Sequence, residues 1–269
     1  MTHPGTVFRT LHVAGHPFIM ANVWDKGSAK MLQSMGAKAL ATSSAAHAFT
    51  LGRVDGGTLT CDEALAHASD ILSVATVPVQ GDFENGFGDS PDDCAQTVRM
   101  AAEIGLAGIC IEDTILPGDA PYDHDLAIER IRAAASAARA LPNDFVLTAR
   151  ADGIMIGSYD TDAAIKRLQG FSAAGADCLY APMPPDMAAL ARICATVDKP
   201  VNALVAGDFA GKSLDDFAKA GAARLSLGSA LARVTHRAIY DAASEMFNGQ
   251  FSVLKDNGIG SDTIDQMMT

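Results

Sequence analysis

The chain has 269 residues and a mass of 27.9 kDa, enough for one large α/β domain or two small ones, and its 49% apolar residues exclude a disordered chain. A formal net charge of −12 repels phosphate backbones and acidic lipid, so neither nucleic acid nor a membrane is expected as a partner. Five single cysteines without metal-binding spacing, and no apolar run of membrane-spanning length, predict a soluble cytoplasmic protein with reduced thiols.

Apolar runs that end at once in a polar or glycine residue recur along the chain and predict eight strands. In chain order these strands are Phe18 to Asn22, Ala39 to Ser43, Val77 to Glu84, Ala107 to Asp113, Phe145 to Arg150, Cys178 to Ala181, Val201 to Val205 and Arg224 to Leu227. Segments with helical periodicity separate them, and these connections are too long for hairpins. Eight such units predict a (β/α)8 TIM barrel.

The domain organisation follows from the absence of any linker or composition shift, so we interpret residues 1–269 as a single domain. Residues 229–269 are predicted to form the eighth helix and a C-terminal helical extension. The apolar stripe from Ala230 to Met246 is longer than one barrel helix can bury, so it predicts a partner surface. A doubly wound sheet is the alternative fold, but its GxGxxG motif is absent after the first strand.

Acidic residues gather where the strands end, which in such barrels is the site of chemistry. Asp82 and Glu84 are two residues apart on a strand, so both should face the same side, and Glu112 ends the next strand. Three converging carboxylates without His or Cys predict a partly water-coordinated Mg²⁺ or Mn²⁺. The alternative is that each acid caps a helix or pairs with a lysine.

Further strand-end residues are candidates for binding the substrate. Arg150 ends a strand, and its guanidinium suits bidentate binding of a substrate carboxylate or, alternatively, a salt bridge to the acids. The other candidates for substrate contact are Ser43, Ser44 and Ala45 in a small-residue turn whose backbone N–H groups suit an anionic oxygen, together with Trp24 and Asn202.

The order of these motifs resembles the isocitrate lyase and phosphoenolpyruvate mutase superfamily. The motifs are Asn22-Val23-Trp24-Asp25, Thr42-Ser43-Ser44, Leu51-Gly52 with Asp55, Gly81-Asp82-Phe83-Glu84-Asn85-Gly86, Ile111-Glu112-Asp113 and Thr148-Ala149-Arg150-Ala151-Asp152. The resemblance implies a barrel in which Mg²⁺ is held largely through water by Asp82, Glu84 and Glu112. It also implies that Asp55 approaches metal and substrate, that Arg150 contacts the substrate, and that Ser43 with the N–H groups of Ser44 and Ala45 binds its carboxylate.

The resemblance further implies that the eighth helix crosses to a neighbouring subunit, in a homodimer or a homotetramer.

One loop departs from the family pattern. Carbon–carbon lyases of the family carry a Lys-Lys/Arg-Cys-Gly-His loop after the fourth strand, whereas residues 114–124 here contain neither Cys nor Lys. Isocitrate or methylisocitrate cleavage is therefore disfavoured, and the basic loop of the mutases is missing too. Tyr122 and then His124 are the candidates for the proton donor.

These observations predict a Mg²⁺-dependent lyase-type enzyme that acts on a small 2-oxo (di)carboxylic acid through a metal-stabilised enolate. Decarboxylation or carbon–carbon cleavage of an oxaloacetate-like substrate is the reaction that we expect. A phosphoenolpyruvate/phosphonopyruvate mutase or hydrolase is the alternative among enzymes. A non-catalytic protein that only binds a 2-oxo acid is the alternative of another class.

Overall fold

The computed structural model describes residues 2–269, and its centre is a closed barrel of eight parallel strands. The ten strands of the chain are β1 (Phe18–Asn22), β2 (Leu40–Ala41), β3 (Val79–Asp82), β4 (Gly108–Glu112), β5 (Thr114–Ile115), β6 (Ala120–Pro121), β7 (Val146–Arg150), β8 (Cys178–Tyr180), β9 (Val201–Leu204) and β10 (Arg224–Ser226). The order around the barrel is β1-β2-β3-β4-β7-β8-β9-β10, and β10 pairs with β1. The other two strands, β5 and β6, form an antiparallel hairpin above β4.

Helices cover the outside of the barrel. Residues 2–269 contain α1 (Pro4–Leu11), α2 (Lys26–Ser34), α3 (Ser44–Thr50), α4 (Cys61–Leu72), α5 (Pro91–Glu103), α6 (His124–Arg139), α7 (Thr161–Ala174), α8 (Met187–Thr196), α9 (Leu214–Lys219), α10 (Ala230–Phe247), α11 (Ser252–Asp256) and α12 (Ser261–Met268). The predicted (β/α)8 barrel is therefore confirmed, with β5 and β6 as an unpredicted addition.

Local sequence signals explain where the helices begin and end. Ser90 caps α5 through its side chain, which accepts from the Asp93 N–H, and Pro91 occupies the first helical turn, where its missing N–H is harmless. Gly175 ends α7 with a φ of 108°, a conformation that glycine adopts without a Cβ clash.

The hydrophobic core lies mainly between the strands and the surrounding helices. Fully buried side chains such as Phe83, Leu106 and Ile109 fill this layer. At the amino ends of the strands, α1 closes the barrel, because Phe8 is buried against Phe18 and Met20. Burial of such side chains is the main force that holds helices onto a barrel wall.

The C-terminal region forms three helices that cover little of the barrel. Ala232 is the buried residue of α10, whereas Val234, Tyr240 and Phe247 are 64%, 69% and 88% exposed. The last helix, α12, returns to the barrel surface and packs on α2, where Lys30 Nζ donates to the Met268 carbonyl oxygen. Nowhere in residues 2–269 is a helix both long enough and apolar enough to span a bilayer.

Candidate active site

Two neighbouring cavities occupy the carboxyl end and the interior of the barrel. The outer one, which we name the mouth cavity, has a volume of about 150 Å³. Its polar lining residues are Ser44, Asp55, Glu84, Glu112, Arg150 and Asp152, and the hairpin contributes Thr114. The strand ends and loops of four βα units, those of β2, β3, β4 and β7, thus bring most of the predicted acids and the predicted arginine together.

The inner cavity, which we name the floor cavity, has a volume of about 50 Å³ and extends down the barrel axis. Arg150 lines both cavities. The other polar side chains around the floor cavity are those of Asn22, Thr42, Gln80, Asp82, Tyr180, Asn202, Arg224 and Ser226. The apolar layers that usually fill a TIM barrel are therefore replaced in part by polar side chains.

The acids of the mouth cavity repel one another. Burial and the Asp82 charge raise the pKa of Glu84 to about 7, and the same two causes raise the pKa of Asp55. The Asp82 carboxylate is held in place by Ser44, whose backbone N and Oγ both donate to Oδ2 at 2.9 Å. Clustered carboxylates of this kind favour a bound cation, because a positive charge between them relieves the repulsion.

Glu84 reaches the mouth cavity by a route that differs from the predicted one. The strand β3 ends at Asp82, and Glu84 lies beyond it with a φ of 46°, in the left-handed region that non-glycine residues seldom adopt. Strand alternation therefore does not explain why both acids face one side. The turn after β3 directs Glu84, and the Gly57 N–H donates to its Oε1 at 3.3 Å. Strain of this kind is often found at functional sites.

Arg150 is clamped between two buried acids. Its Nη1 lies 2.9 Å from Glu112 Oε2, and its Nε donates to Asp152 Oδ1. Burial raises the pKa of Glu112 well above its usual range and the pKa of Asp152 to about 6, and the Arg150 charge opposes both shifts. The predicted ion pair between the arginine and the acids is thus present, and it leaves the guanidinium at the junction of the two cavities.

The donor set fits a hard divalent cation. Asp82, Glu84, Asp55 and Glu112 offer carboxylate oxygens, the ligand chemistry that Mg²⁺ prefers, and among residues 2–269 neither a thiol nor an imidazole lines the mouth cavity. Within residues 2–269, no three His, Cys, Asp or Glu side chains lie close enough together to hold an ion directly. Such spacing suits Mg²⁺, which retains several of its water ligands in most protein sites.

The predicted carboxylate-binding turn is the start of a helix. Ser43 caps α3 and accepts from the Ala46 N–H at 3.3 Å, while Ala45 is buried within the helix. Ser44 lines the mouth cavity, but its N–H already donates to Asp82. The turn therefore faces the site through Ser44, and its first N–H serves to orient an acid.

Two other predicted substrate contacts lie away from the mouth. Trp24 is partly buried at the start of α2, where its carbonyl oxygen bonds His67 Nε2 at 2.9 Å, and it lines neither cavity. Asn202 lies deep in the barrel rather than at a strand end. Its Oδ1 accepts from Arg224 Nε at 2.9 Å, and its Nδ2 donates to Ser226 Oγ at 2.8 Å.

The two predicted proton donors are also outside the cavities. The Tyr122 hydroxyl donates to Asp89 Oδ1 at 2.6 Å and accepts from Asn85 Nδ2 at 2.9 Å, on the buried outer side of the hairpin. His124 is exposed at the first turn of α6, where its ring nitrogen lies 3.2 Å from Asp125. The structure brings neither side chain to Arg150 or the acids.

Sequence reasoning gave no role to Asp113 and Arg224. Asp113 accepts from the Asp152 backbone N–H at 2.7 Å and from the Tyr159 hydroxyl at 2.8 Å, and it pairs with Arg167 at 3.1 Å, so it fixes the partner of Arg150. In the sequence, Asp113 was indicated by its place in the acidic pair Glu112-Asp113 at the end of the fourth predicted strand. Arg224 had a weaker signal, a lone charge within an otherwise apolar strand.

Comparison with known proteins agrees with this geometry. The family model described as phosphoenolpyruvate phosphomutase matches residues 8–247. The chain is 28% identical to a 2-methylisocitrate lyase of Escherichia coli (strain K12) over 99% of this chain and 89% of that protein. It is also 28% identical to an oxaloacetate decarboxylase of Chromohalobacter salexigens, and this match covers 75% of this chain and 70% of that protein.

A solved structure from Burkholderia cenocepacia J2315, provisionally named a lyase/mutase, has a TM-score of 0.93 and 40% identity over 98% of this chain and 94% of that one. The fold, the order of the motifs and these likenesses agree. The chain belongs to the phosphoenolpyruvate phosphomutase family.

Proposed function

We propose that this protein is a Mg²⁺-dependent lyase that removes a group from C3 of a small 2-oxo acid through an enolate. An oxaloacetate-like dicarboxylate that loses CO₂ is the proposed substrate. The observation that carries the proposal is the position of Arg150, buried between Glu112 and Asp152 beside the acids of the mouth cavity. The oxaloacetate decarboxylase among the relatives supports the same chemistry.

The proposed roles divide between the acids and the arginine. Asp82, Glu84 and Glu112 would hold the cation largely through water, with Asp55 beside them. When bound, Mg²⁺ would supply Lewis-acid polarisation of the 2-oxo group. Arg150 would bind the substrate carboxylate and stabilise the charge that develops as the C3–C4 bond breaks, because a fixed guanidinium needs no reorganisation during the reaction.

The loop over the site favours this reaction over its alternatives. Within residues 2–269 the mouth cavity has no cysteine or lysine, so the thiol expected for methylisocitrate cleavage is missing. The hairpin offers Thr114, Leu116 and Gly118 to the cavity, and none of these carries the charge that a transferring phosphoryl group needs. A decarboxylase requires only a proton for the enolate, which we propose that water delivers.

We also propose that the protein is a cytoplasmic homodimer or homotetramer. The exposed apolar side chains of α10, with Tyr240 and Phe247 among them, support association through the C-terminal helices. The family resemblance, which implies an eighth helix that crosses to a neighbouring subunit, supports the same interface. The predominance of buried cysteines fits a reducing compartment.

A substrate screen tests the proposed function. The protein is incubated with 2-oxo acids, 2-alkylmalates and phosphonopyruvate in Mg²⁺ or Mn²⁺, and the products are identified by NMR. We expect loss of CO₂ from oxaloacetate faster than in the protein-free buffer. Rearrangement of phosphonopyruvate would favour the mutase, and Mg²⁺-dependent binding without any turnover would favour the non-catalytic binding protein.

A further inference from the structure

Arg224 is a buried arginine that crosses the interior of the barrel. It begins β10, and its side chain is 1% exposed. Its Nη1 donates to Gln80 Oε1 at 2.7 Å and to Thr148 Oγ1 at 3.3 Å, on strands β3 and β7 of the opposite wall. The guanidinium therefore spans the barrel and forms the floor beneath Arg150 and Asp82.

The charge of Arg224 has no counterion among residues 2–269. All of its hydrogen bonds run to neutral groups, namely Gln80, Thr148, Asn202 and the His12 ring, whose Nε2 lies 3.2 Å from Nη1. The other arginines that face the site differ, because Arg150 and Arg167 each pair with a buried acid. A buried charge without an ionic partner is unfavourable, and Arg224 also lines a cavity in which a compensating anion can lie.

The space and the donors for an anion are both present. Arg224 lines the floor cavity, whose volume of about 50 Å³ exceeds the space that one water molecule needs. The hydrogen bonds of Arg224 within residues 2–269 come from Nε and Nη1, and Gln80 accepts through Oε1. The Arg224 Nη2 and the Gln80 amide NH₂ therefore remain as donors beside the cavity.

We propose that the floor cavity is a binding site for a carboxylate-sized monoanion, held by Arg224 and Gln80. The occupant is either a free small anion or the second carboxylate of a dicarboxylate whose other end lies in the mouth cavity. Both sources present the same chemistry to the guanidinium, and the two cavities are neighbours that share Arg150 as a lining residue, which puts both within the span of one dicarboxylate.

Thermal unfolding in formate tests the site on the intact protein without any activity measurement. Formate replaces gluconate, a monoanion too large for 50 Å³, at constant ionic strength and in excess EDTA. We expect the Tm to rise by roughly 3 °C for each tenfold increase in formate above its Kd. Equal Tm values in formate and gluconate would overturn the proposal, and this comparison needs no variant to fold.

Two matched variants locate the effect. Arg224→Met should abolish the formate response. Arg130→Met is the control, because Arg130 is equally buried and also lacks an acid partner, but it donates to the Gly88 and Asn85 carbonyl oxygens and lines neither cavity. The Tm of Arg130→Met should still rise with formate, even if this variant unfolds at a lower temperature than the parent. A formate response that persists in Arg224→Met would place the anion elsewhere and contradict the proposal.

A second arm distinguishes the two sources and rests on the proposed function, whereas the formate titration does not. Binding of pyruvate and of oxaloacetate is measured in Mg²⁺, in formate and in gluconate. If the second carboxylate of the substrate occupies the floor cavity, formate weakens oxaloacetate binding but leaves pyruvate binding unchanged. If a free anion is the occupant, formate competes with neither. Failure of both acids to bind would contradict the proposed function and leave the formate result standing.

Discussion

Arg150 lines both cavities of the barrel. Its guanidinium contacts Glu112 through Nη1 and Asp152 through Nε, so buried acids already orient the planar group through two of its nitrogens. Asp113 in turn holds the Asp152 backbone. The orientation of the arginine therefore depends on a chain of buried contacts, which is how a scaffold prepares a charged group for a substrate.

The substitution Arg150→Lys should lower kcat/KM by about 10- to 100-fold, which corresponds to the 1.5–3 kcal/mol of a charge-assisted hydrogen bond. Lysine keeps the charge but lacks the planar fork, so it cannot contact Glu112, Asp152 and a substrate carboxylate in the same way. Steady-state kinetics on the substrate found by the screen measures the effect. Arg132→Lys, at an exposed pair with Glu129, is the matched control. Activity of Arg150→Lys within a few-fold of the parent would assign the arginine a structural role.

The cysteines should take no part in the reaction. Burial raises the pKa of Cys94 to about 11 and that of Cys194 to about 12, and it raises the pKa of Cys61, Cys110 and Cys178 as well. Thiols with raised pKa values hold little reactive thiolate at neutral pH. Iodoacetamide should therefore leave activity unchanged. Inactivation that substrate prevents, mapped by mass spectrometry to Cys110 beside the floor cavity, would refute this.

At the scale of elements, the strand ends were predictable and the turns beyond them were not. An apolar run followed by a polar residue locates β4 and β7 well. The reason is that a barrel strand is buried along its length and reaches the polar site only at its carboxyl end. Glu84 was expected on a strand, yet it lies in a left-handed turn, a conformation that depends on contacts with Gly57 from a distant loop. Local sequence does not encode such contacts.

The same limit applies to the hairpin and to the barrel floor. The strands β5 and β6 have two residues each, too few for a periodic pattern. Arg224 contacts residues on three other strands and on the end of α1, and these meet only when the barrel closes. Sequence reasoning therefore found the acids at the mouth, but it placed Asn202 at the wrong depth.

The contact between α1 and the barrel floor should make stability depend on pH. Burial, aided by the Arg224 charge, lowers the pKa of His12 to about 3. Below pH 6.5 the unfolded chain binds a proton that the folded chain does not, so the stability present above that pH is lost as the pH falls towards 3. The loss is about 1.4 kcal/mol between pH 7.5 and 5.5.

Urea unfolding of the parent and of His12→Gln at both pH values measures this contribution. Glutamine cannot take up a proton. Between pH 7.5 and 5.5 the free energy of unfolding of His12→Gln should therefore fall by about 1.4 kcal/mol less than that of the parent. The groups that the two proteins share, Arg9 and Arg224 among them, cancel in the comparison. Equal pH dependence in parent and variant would show that, between pH 7.5 and 5.5, His12 takes up a proton in the folded protein as it does in the unfolded chain, and would contradict the lowered pKa.

For the whole molecule, the C-terminal helices should determine assembly. Apolar side chains on α10 and α11 are largely exposed, including Ile239 at 64% and Phe251 at 62%. A net charge of −12 per chain opposes association only weakly, because the Debye length is about 8 Å at physiological ionic strength. Burial of this surface should therefore favour a dimer or a tetramer.

Light scattering at micromolar concentration should accordingly return at least twice the mass of one chain. Truncation after Gly228 should give insoluble protein or an unstable monomer, since the truncated barrel loses Ala232 and the packing of α12 on α2. A stable particle of 27.9 kDa from the full chain would mean that the helices lie only on their own barrel.

Exchange of the C3 protons of pyruvate in D₂O tests the central claim most directly, because it reports the enolate without depending on the leaving group. With Mg²⁺, the methyl signal in the ¹H NMR spectrum should decay faster than in protein-free buffer. Excess EDTA, or alanine at Asp82, Glu84 or Glu112, should each abolish this acceleration, and Arg150→Lys should reduce it about 10- to 100-fold. Decay no faster than in protein-free buffer, while pyruvate binds the unmodified protein with Mg²⁺ present, would contradict the account.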